Sequence, residues 1–241
     1  MKTLGITLAK GHSNGVPNKN IREIAGRPLL TWTVLEVQKS KRLSGYFVST
    51  ESPDVMGLME TTLRLSTCLW RPDELSRDDT TSLDVINFHT NYPHDFDAIA
   101  LIPCTTPLRT AEDIDGAIQM LEDNPMADSV IGVTECIPVE RVKKIVDGLI
   151  VDTYPEPQDG QRQNLEKCYT RSGIYVVRRD SLDKLFGHKT SLAYVIPPER
   201  GLNIDTPLDW EIAQMLLRRT HNLCKYCDSM EGDDCQCWND E

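Results

Sequence analysis

Apolar positions along residues 1–134 follow two alternating rhythms, short β-rich runs and longer runs at helical spacing. Residues 3–9 predict a strand, and 28–39 a helix with Pro28 in its first turn. Residues 45–50 predict a strand, 53–63 a helix, Leu65 to Trp70 a short strand and 80–91 a helix. The unbroken apolar run at 97–102 reads as a buried central strand, followed by a helix over 111–122. Thr110 can cap that helix, with Asp113 at the capping-box position. Residues 128–134 supply another strand. This order predicts an α/β fold, a mainly parallel sheet with helices on both faces. Ligands in such sheets bind beyond the carboxyl ends of the strands, which directs attention to the loops after residues 9, 50, 102 and 134.

The rhythm changes at residue 135. Val142–Val146 and Leu149–Thr153, joined by Asp147-Gly148, predict a hairpin with a tight two-residue turn. Residues 154–168 are polar and irregular, as in an inserted flap. Gly173–Arg178 returns to strand, Ser181–Phe186 to a short helix closed by Gly187, and Leu192–Ile196 to strand. A last helix runs from Pro207 to about Arg219. The division is a body over 1–220, with an insertion over 135–170, and a short tail over 221–241.

Composition narrows the function classes. The 241 residues are 39% hydrophobic and 26% charged, an ordinary globular balance. No apolar run approaches the ~20 residues of a membrane span, and Met1–Ala9 is too short and strand-like for a secretory signal. A cytoplasmic, reducing compartment is therefore expected, and no membrane partner. The net charge of −11 argues against a nucleic-acid partner, which needs a basic face. Six acids and one lysine lie after His221, so the tail holds nearly half of that charge.

Candidate chemistry clusters at the strand ends. Lys10-Gly11-His12-Ser13-Asn14-Gly15 and the following Lys19-Asn20 suit a loop that wraps phosphate with backbone N–H groups and ammonium. A solvated surface loop is the alternative, and the spacing is not that of a P-loop. His12 could donate to an anion or stand as a surface residue. In Pro103-Cys104-Thr105-Thr106-Pro107-Leu108-Arg109, Arg109 could meet a phosphate or carboxylate, or satisfy carbonyls of its own loop. Arg71 to Leu75, with Asp78 and Thr80 to Ser82, is ordinary helix-start chemistry when taken singly. Asp205 precedes a helix and could cap it, or hold Mg²⁺ beside phosphates. Cys68, Cys104, Cys136 and Cys168 stand alone and read as apolar fillers, with Cys104 alone in a site loop.

Taken in order, these segments resemble the CMP-sugar synthetases, the acylneuraminate and 3-deoxy-manno-octulosonate cytidylyltransferases, and more closely the acylneuraminate branch. The likeness runs through Ala9–Leu30, Val48-Ser49-Thr50, Arg71–Leu75, Thr105–Ile114, Arg162-Gln163, Ser172-Gly173 and Asn203–Trp210. It implies a three-layer, Rossmann-like fold of the GT-A-like nucleotidyltransferase kind, with a protruding β-hairpin arm for homodimerisation. It implies that a keto-sugar acid, sialic-acid-like, is activated with CTP to give CMP-sugar and pyrophosphate. Lys10, Lys19 and Asp205 would be catalytic. Ala9, Lys10, Gly11, Ser13, Gly15, Asn20, Arg71 and Ser82 would bind nucleotide, and Thr105, Arg109, Arg162 and Gln163 the sugar acid. Asp205 and Asn203 would hold Mg²⁺. The sequence departs from the family's pattern in four places: Lys10 stands for arginine, Asn14 for lysine, Pro103-Cys104 for Gln-Pro, and Asn203 for the first aspartate of Asp-x-Asp. Two alternatives fit the same residues: a nucleotidyltransferase of another sugar or base, and a nucleotide-sugar-binding protein with weakened catalysis.

The tail lies outside the resemblance. Cys224-x2-Cys227 and Cys235-x-Cys237 offer four thiolates to a structural Zn²⁺, against a reduced tail without metal or a redox pair.

Overall fold

The computed structural model describes residues 1–13, 15–61, 68–91, 95–153 and 165–223. Its centre is a seven-stranded sheet. The strands are β1 (Thr3–Leu8), β4 (Leu43–Thr50), β5 (Cys68–Trp70), β6 (Ala98–Leu101), β7 (Ser129–Cys136), β10 (Cys168–Arg178) and β11 (Ser191–Val195), in the spatial order β11-β7-β10-β6-β1-β4-β5. All neighbours pair in parallel except β10, which runs antiparallel between β6 and β7.

The sheet is apolar on both faces because helices cover both. Along β4, Phe47 packs with Leu4, Ile6 and Ile86 on one side, while Val48 packs with Leu30, Val34 and Val55 on the other. Helices α1 (Leu29–Lys39), α2 (Pro53–Thr61) and α4 (Ala111–Asp123) supply the second side. Helix α3 (Ser82–Thr90) and the 3-10 segment Arg179–Lys184 cover the first. Helix α5 (Pro207–Thr220) lies against α1, with Trp210 in one apolar cluster with Leu29 and Trp32. Each fully buried aliphatic side chain contributes about 1.5–3 kcal/mol. That burial holds the strand ends in the fixed row on which the candidate loops stand.

The predicted elements lie where the sequence places them, with four differences. A two-residue hairpin, β2 (Glu23–Ile24) and β3 (Arg27–Pro28), precedes α1; four paired residues are too few to show a period. Strand β10 starts at Cys168 rather than Gly173, because Tyr169-Thr170-Arg171 is exposed and polar and a bulge follows it. The segment 181–186 forms part of a kinked 3-10 turn, not an α-helix. The cap of α5 is Thr206 with Asp209, not Asp205. The expected hairpin is present as β8 (Lys143–Val146) and β9 (Leu149–Asp152), standing apart from the main sheet. Its turn, Asp147-Gly148, has both residues at positive φ (51° and 81°), the geometry that matches strand twist. The polar flap falls mostly on residues 154–164, outside the described residues, as do Asn14 and tail residues 224–241. Among the described residues, no helix is long and apolar enough to cross a membrane.

Candidate active site

The carboxyl ends of β1 and β6 open into a cleft of about 390 Å³, lined by the loop after β1, the loop after β6, the start of α3 and Asp205. Lys10, His12, Ser13, Gly15, Lys19 and Asn20 come from the first loop, and Pro103, Cys104 and Thr105 from the second. Ser82, Asp78 and Asp205 complete the polar lining, and Leu8 and Leu101 form an apolar floor.

The first loop is tied down at several points. The Asn20 amide donates to the Lys10 carbonyl at 2.7 Å and accepts from the Cys104 thiol at 3.0 Å. The Gly11 N–H donates to Glu51 Oε1 at 2.7 Å. Gly15 lies so close to the 203–206 segment that a Cβ there would sit 2.2 Å from the Asp205 carbonyl oxygen, so only glycine fits. Lys19 is mostly buried; its Nζ donates to the Ile204 carbonyl at 2.5 Å and lies 3.6 Å from Asp205 Oδ1. Lys10 is more open and pairs with Asp78 at 2.7 Å. Two ammonium groups therefore project into the cleft, each beside one carboxylate.

Asp205 is exposed to the cleft, and the Asn203 amide donates to its Oδ2. With Thr206 and Asp209 forming the cap of α5, the Asp205 carboxylate is free of helix duty. Turning the Asn203 amide would set its oxygen beside that carboxylate, giving two hard oxygen donors of the kind Mg²⁺ takes together with phosphate oxygens.

Several expected contacts stand elsewhere. Arg109 is 1% exposed and lies behind the cleft, not in it. It donates to the carbonyls of Pro103 at 3.0 Å and Gly173 at 2.8 Å, and to the Thr33 hydroxyl, while its Nε is unpartnered. Burial lowers it to about 10, which still leaves it charged at neutral pH. Arg71, 3% exposed, is turned onto Glu51 at 2.8 Å and does not line the cleft. Ala9 is buried, its N–H on the Ser49 carbonyl at 2.9 Å, and Gly11 faces Ser52 and Glu51 rather than the cleft. Arg162, Gln163 and the four tail cysteines lie outside the described residues. Burial pushes the Cys104 thiol up to about 11, so it is unreactive at neutral pH and serves as a hydrogen-bond donor.

Two residues went unread in the sequence. Asp78 reads there as helix-start chemistry, but Thr81 and Asp84 do the capping and Asp78 faces Lys10 across the cleft. Glu51 carries no motif. Its only signal is an acid directly after a strand end, at one of the four loops singled out by topology.

The cytidylyltransferase family model matches residues 4–193. The chain is 24% identical over 216 residues to the N-acylneuraminate cytidylyltransferase of Escherichia coli O18:K1:H7 (strain RS218 / NMEC), covering 88% of this chain and 51% of that protein. It is 28% identical over 226 residues to the enzyme of the same name from Oncorhynchus mykiss, covering 89% and 50%. The chain thus spans about half the length of these two relatives. It is 25% identical over 229 residues to the post-translational flagellin modification protein B of Campylobacter coli, covering 90% and 95%. In fold it is similar to a CMP:2-keto-3-deoxy-manno-octonic acid synthetase complexed with CTP, with TM-score 0.69, 16% identity, and 91% and 100% coverage. A second structural relative is the 4-diphosphocytidyl-2C-methyl-D-erythritol synthase of Anaerococcus prevotii DSM 20548, with TM-score 0.64, 15% identity, and 90% and 96% coverage. With the family model spanning the sheet from β1 into β11, and the cleft standing at the strand ends where this α/β topology binds ligands, the chain belongs to the cytidylyltransferase family.

Proposed function

We propose that the chain transfers the CMP group of CTP to the anomeric hydroxyl of a keto-sugar acid of the sialic or octulosonic kind. The hydroxyl oxygen attacks the α-phosphorus, the bond to the β-phosphate oxygen breaks, and pyrophosphate leaves. The observation that carries this reading is the convergence of Lys10, Lys19, Gly15 and Asp205 on one cleft. Phosphoryl transfer asks mainly for positioning and for neutralised charge. Lys19, anchored on a carbonyl, offers a cation already in place. Lys10 can leave its exposed partner Asp78 for a triphosphate oxygen, since a surface ion pair holds it by only about 0–1 kcal/mol. Thr105, Ser13 and Ser82 add neutral groups to the lining.

The two lysines and two carboxylates of the cleft balance in charge, so a triphosphate arriving there needs a further cation. Asp205 and Asn203 would hold Mg²⁺, which supplies charge neutralisation at phosphate oxygens. The exposed apolar hairpin β8–β9 supports assembly as a homodimer. The four tail cysteines are proposed to take a structural Zn²⁺, which metal analysis of the purified chain with and without Cys224→Ser tests.

The deciding experiment measures pyrophosphate release with Mg²⁺ and each of the four nucleoside triphosphates against a panel of eight- and nine-carbon keto-sugar acids. Release with CTP and one acid is expected, and Asp205→Asn should reduce it and its Mg²⁺ dependence together. Silence in protein that CTP still stabilises thermally would favour a binding protein. The single carboxylate left by Asn203 is the observation on that side. Silence without nucleotide binding would overturn the reading of the cleft.

A further inference from the structure

In the sequence Cys136 and Cys168 are isolated residues separated by the whole insertion. The fold corrects this. They are directly opposed partners at the end of the β7–β10 pair, where the chain leaves the sheet and returns. Both are free thiols and neither is fully buried. Opposed residues of an antiparallel pair share a face, with Cα atoms about 4.5–5.5 Å apart. That spacing lies inside the roughly 4.4–6.8 Å that a disulfide spans. Each thiol now makes only a weak contact with a nearby carbonyl, Cys136 with Ile137 at 3.6 Å and Cys168 with Glu166 at 3.7 Å. Rotation about χ1 frees either sulfur.

We propose that Cys136 and Cys168 form a redox-active dithiol, a modification site at the root of the insertion that small disulfides oxidise to a cross-strand disulfide. The thiolate of Cys168 attacks one sulfur of a compound such as glutathione disulfide. The small S–S bond breaks, a mixed disulfide forms, and one glutathione thiolate leaves. The thiolate of Cys136 then attacks the Cys168 sulfur, the protein S–S bond forms and the second glutathione leaves. The two cysteine thiols lose two electrons, the small disulfide gains them, and its two thiols take up the two protons. Burial, with Cys168 and Glu135 alongside, holds the Cys136 thiol above its ordinary range. This suits Cys136 to the second step, where attack is intramolecular and needs less thiolate. The bond pins together the two strand ends from which residues 137–167, hairpin included, depart. A dithiol of this kind fits a reducing compartment, where disulfides are transient and responsive.

The inference is independent of the proposed reaction. The full chain is incubated with glutathione disulfide at about pH 8, where thiolate is available, then alkylated, digested without reduction and mapped by mass spectrometry. The expected product is a linked peptide joining Cys136 to Cys168, lighter by two hydrogens than its two parts and reversed by dithiothreitol. In Cys136→Ser the same treatment should stop at a Cys168–glutathione mixed disulfide. Independent alkylation or glutathionylation of both cysteines in the unaltered chain would overturn the proposal. So would links from either of them to the tail cysteines in place of the mutual one.

Discussion

Glu51 receives four bonds on its two carboxylate oxygens, Oε1 from the Gly11 amide and Oε2 from Arg71 twice and from Ser76. Burial works against its charge. The Gly11 amide, Ser76, its own backbone and Arg71 outweigh that, and its carboxyl lies below the usual range. The stability this adds is therefore complete above the ordinary glutamate pKa and lost as pH falls through the depressed one. Acid denaturation should begin earlier relative to neutral stability in the wild type than in Glu51→Gln, whose acid limb should flatten. Glu51→Ala strands the buried Arg71 and should cost about 3–5 kcal/mol in urea unfolding. Lys19→Ala should cost about 1–3 kcal/mol in unfolding, because the mostly buried side chain is also the donor to the Ile204 carbonyl, while kcat/KM for pyrophosphate release falls about 10²–10³-fold, the scale of losing one preorganised charge donor. That the two lysines would stand at the strand-end cleft was legible because they follow a strand in a glycine-containing loop. Glu51 was not, since its partners Gly11 and Arg71 are remote in sequence and meet it only once β1, β4 and β5 align. Arg109 and Arg71 show the opposite failure, because an arginine at a strand end reads the same whether it faces a ligand or is buried against carbonyls or a carboxylate.

Helix α4 is an element whose start was readable to the residue. Thr110 and Asp113 make the reciprocal capping box that their spacing suggests. The structure adds that Asp113 is buried and also holds Arg200, at 2.9 and 3.0 Å. The two cap residues should therefore separate on mutation. Thr110→Ala should cost about 1 kcal/mol, the usual loss of a cap. Asp113→Ala should cost about 2 kcal/mol, because the reciprocal half of the cap and the bonds to the partly exposed Arg200 are lost together. Thermal unfolding of the two variants checks the order. The same box chemistry at α5 removes one of the two roles that the sequence leaves open for Asp205, that of cap. Cap position depends on which residue first leaves the helix, and Asp205 and Thr206 are both good caps by type. Only the observed bonds of Thr206 with Asp209 release Asp205 for the cleft.

For the whole molecule, alternation of strand and helix predicted the layers, and the rule that ligands gather at carboxyl ends predicted the cleft's address. The position of β10 between β6 and β7 was not legible, since strand order depends on packing across the sheet rather than on any local pattern. The arm was visible as a hairpin in the local pattern, and its standing apart from the main sheet was expected from the family resemblance rather than from that pattern. There Ile145, Leu149 and Ile150 are 79%, 70% and 76% exposed, a concentration of bare apolar surface that monomers seldom keep. The proposed assembly predicts that the chain sediments as a dimer and that replacing Ile145 and Ile150 by lysine leaves monomer without disturbing the fold of the body. Sedimentation velocity of the double variant, beside its far-UV spectrum, checks both halves of that expectation.

The insertion leaves from the end of β7 and re-enters at the start of β10, and these strands are neighbours. Its two ends thus stand one strand spacing apart, about 4.8 Å. Such a segment behaves as an interchangeable cartridge in a socket. It can be lengthened, shortened or exchanged without re-threading a strand or moving a lysine of the cleft. A change within the insertion therefore leaves the order of the seven strands, and the loops that carry Lys10, Lys19 and Asp205, in place.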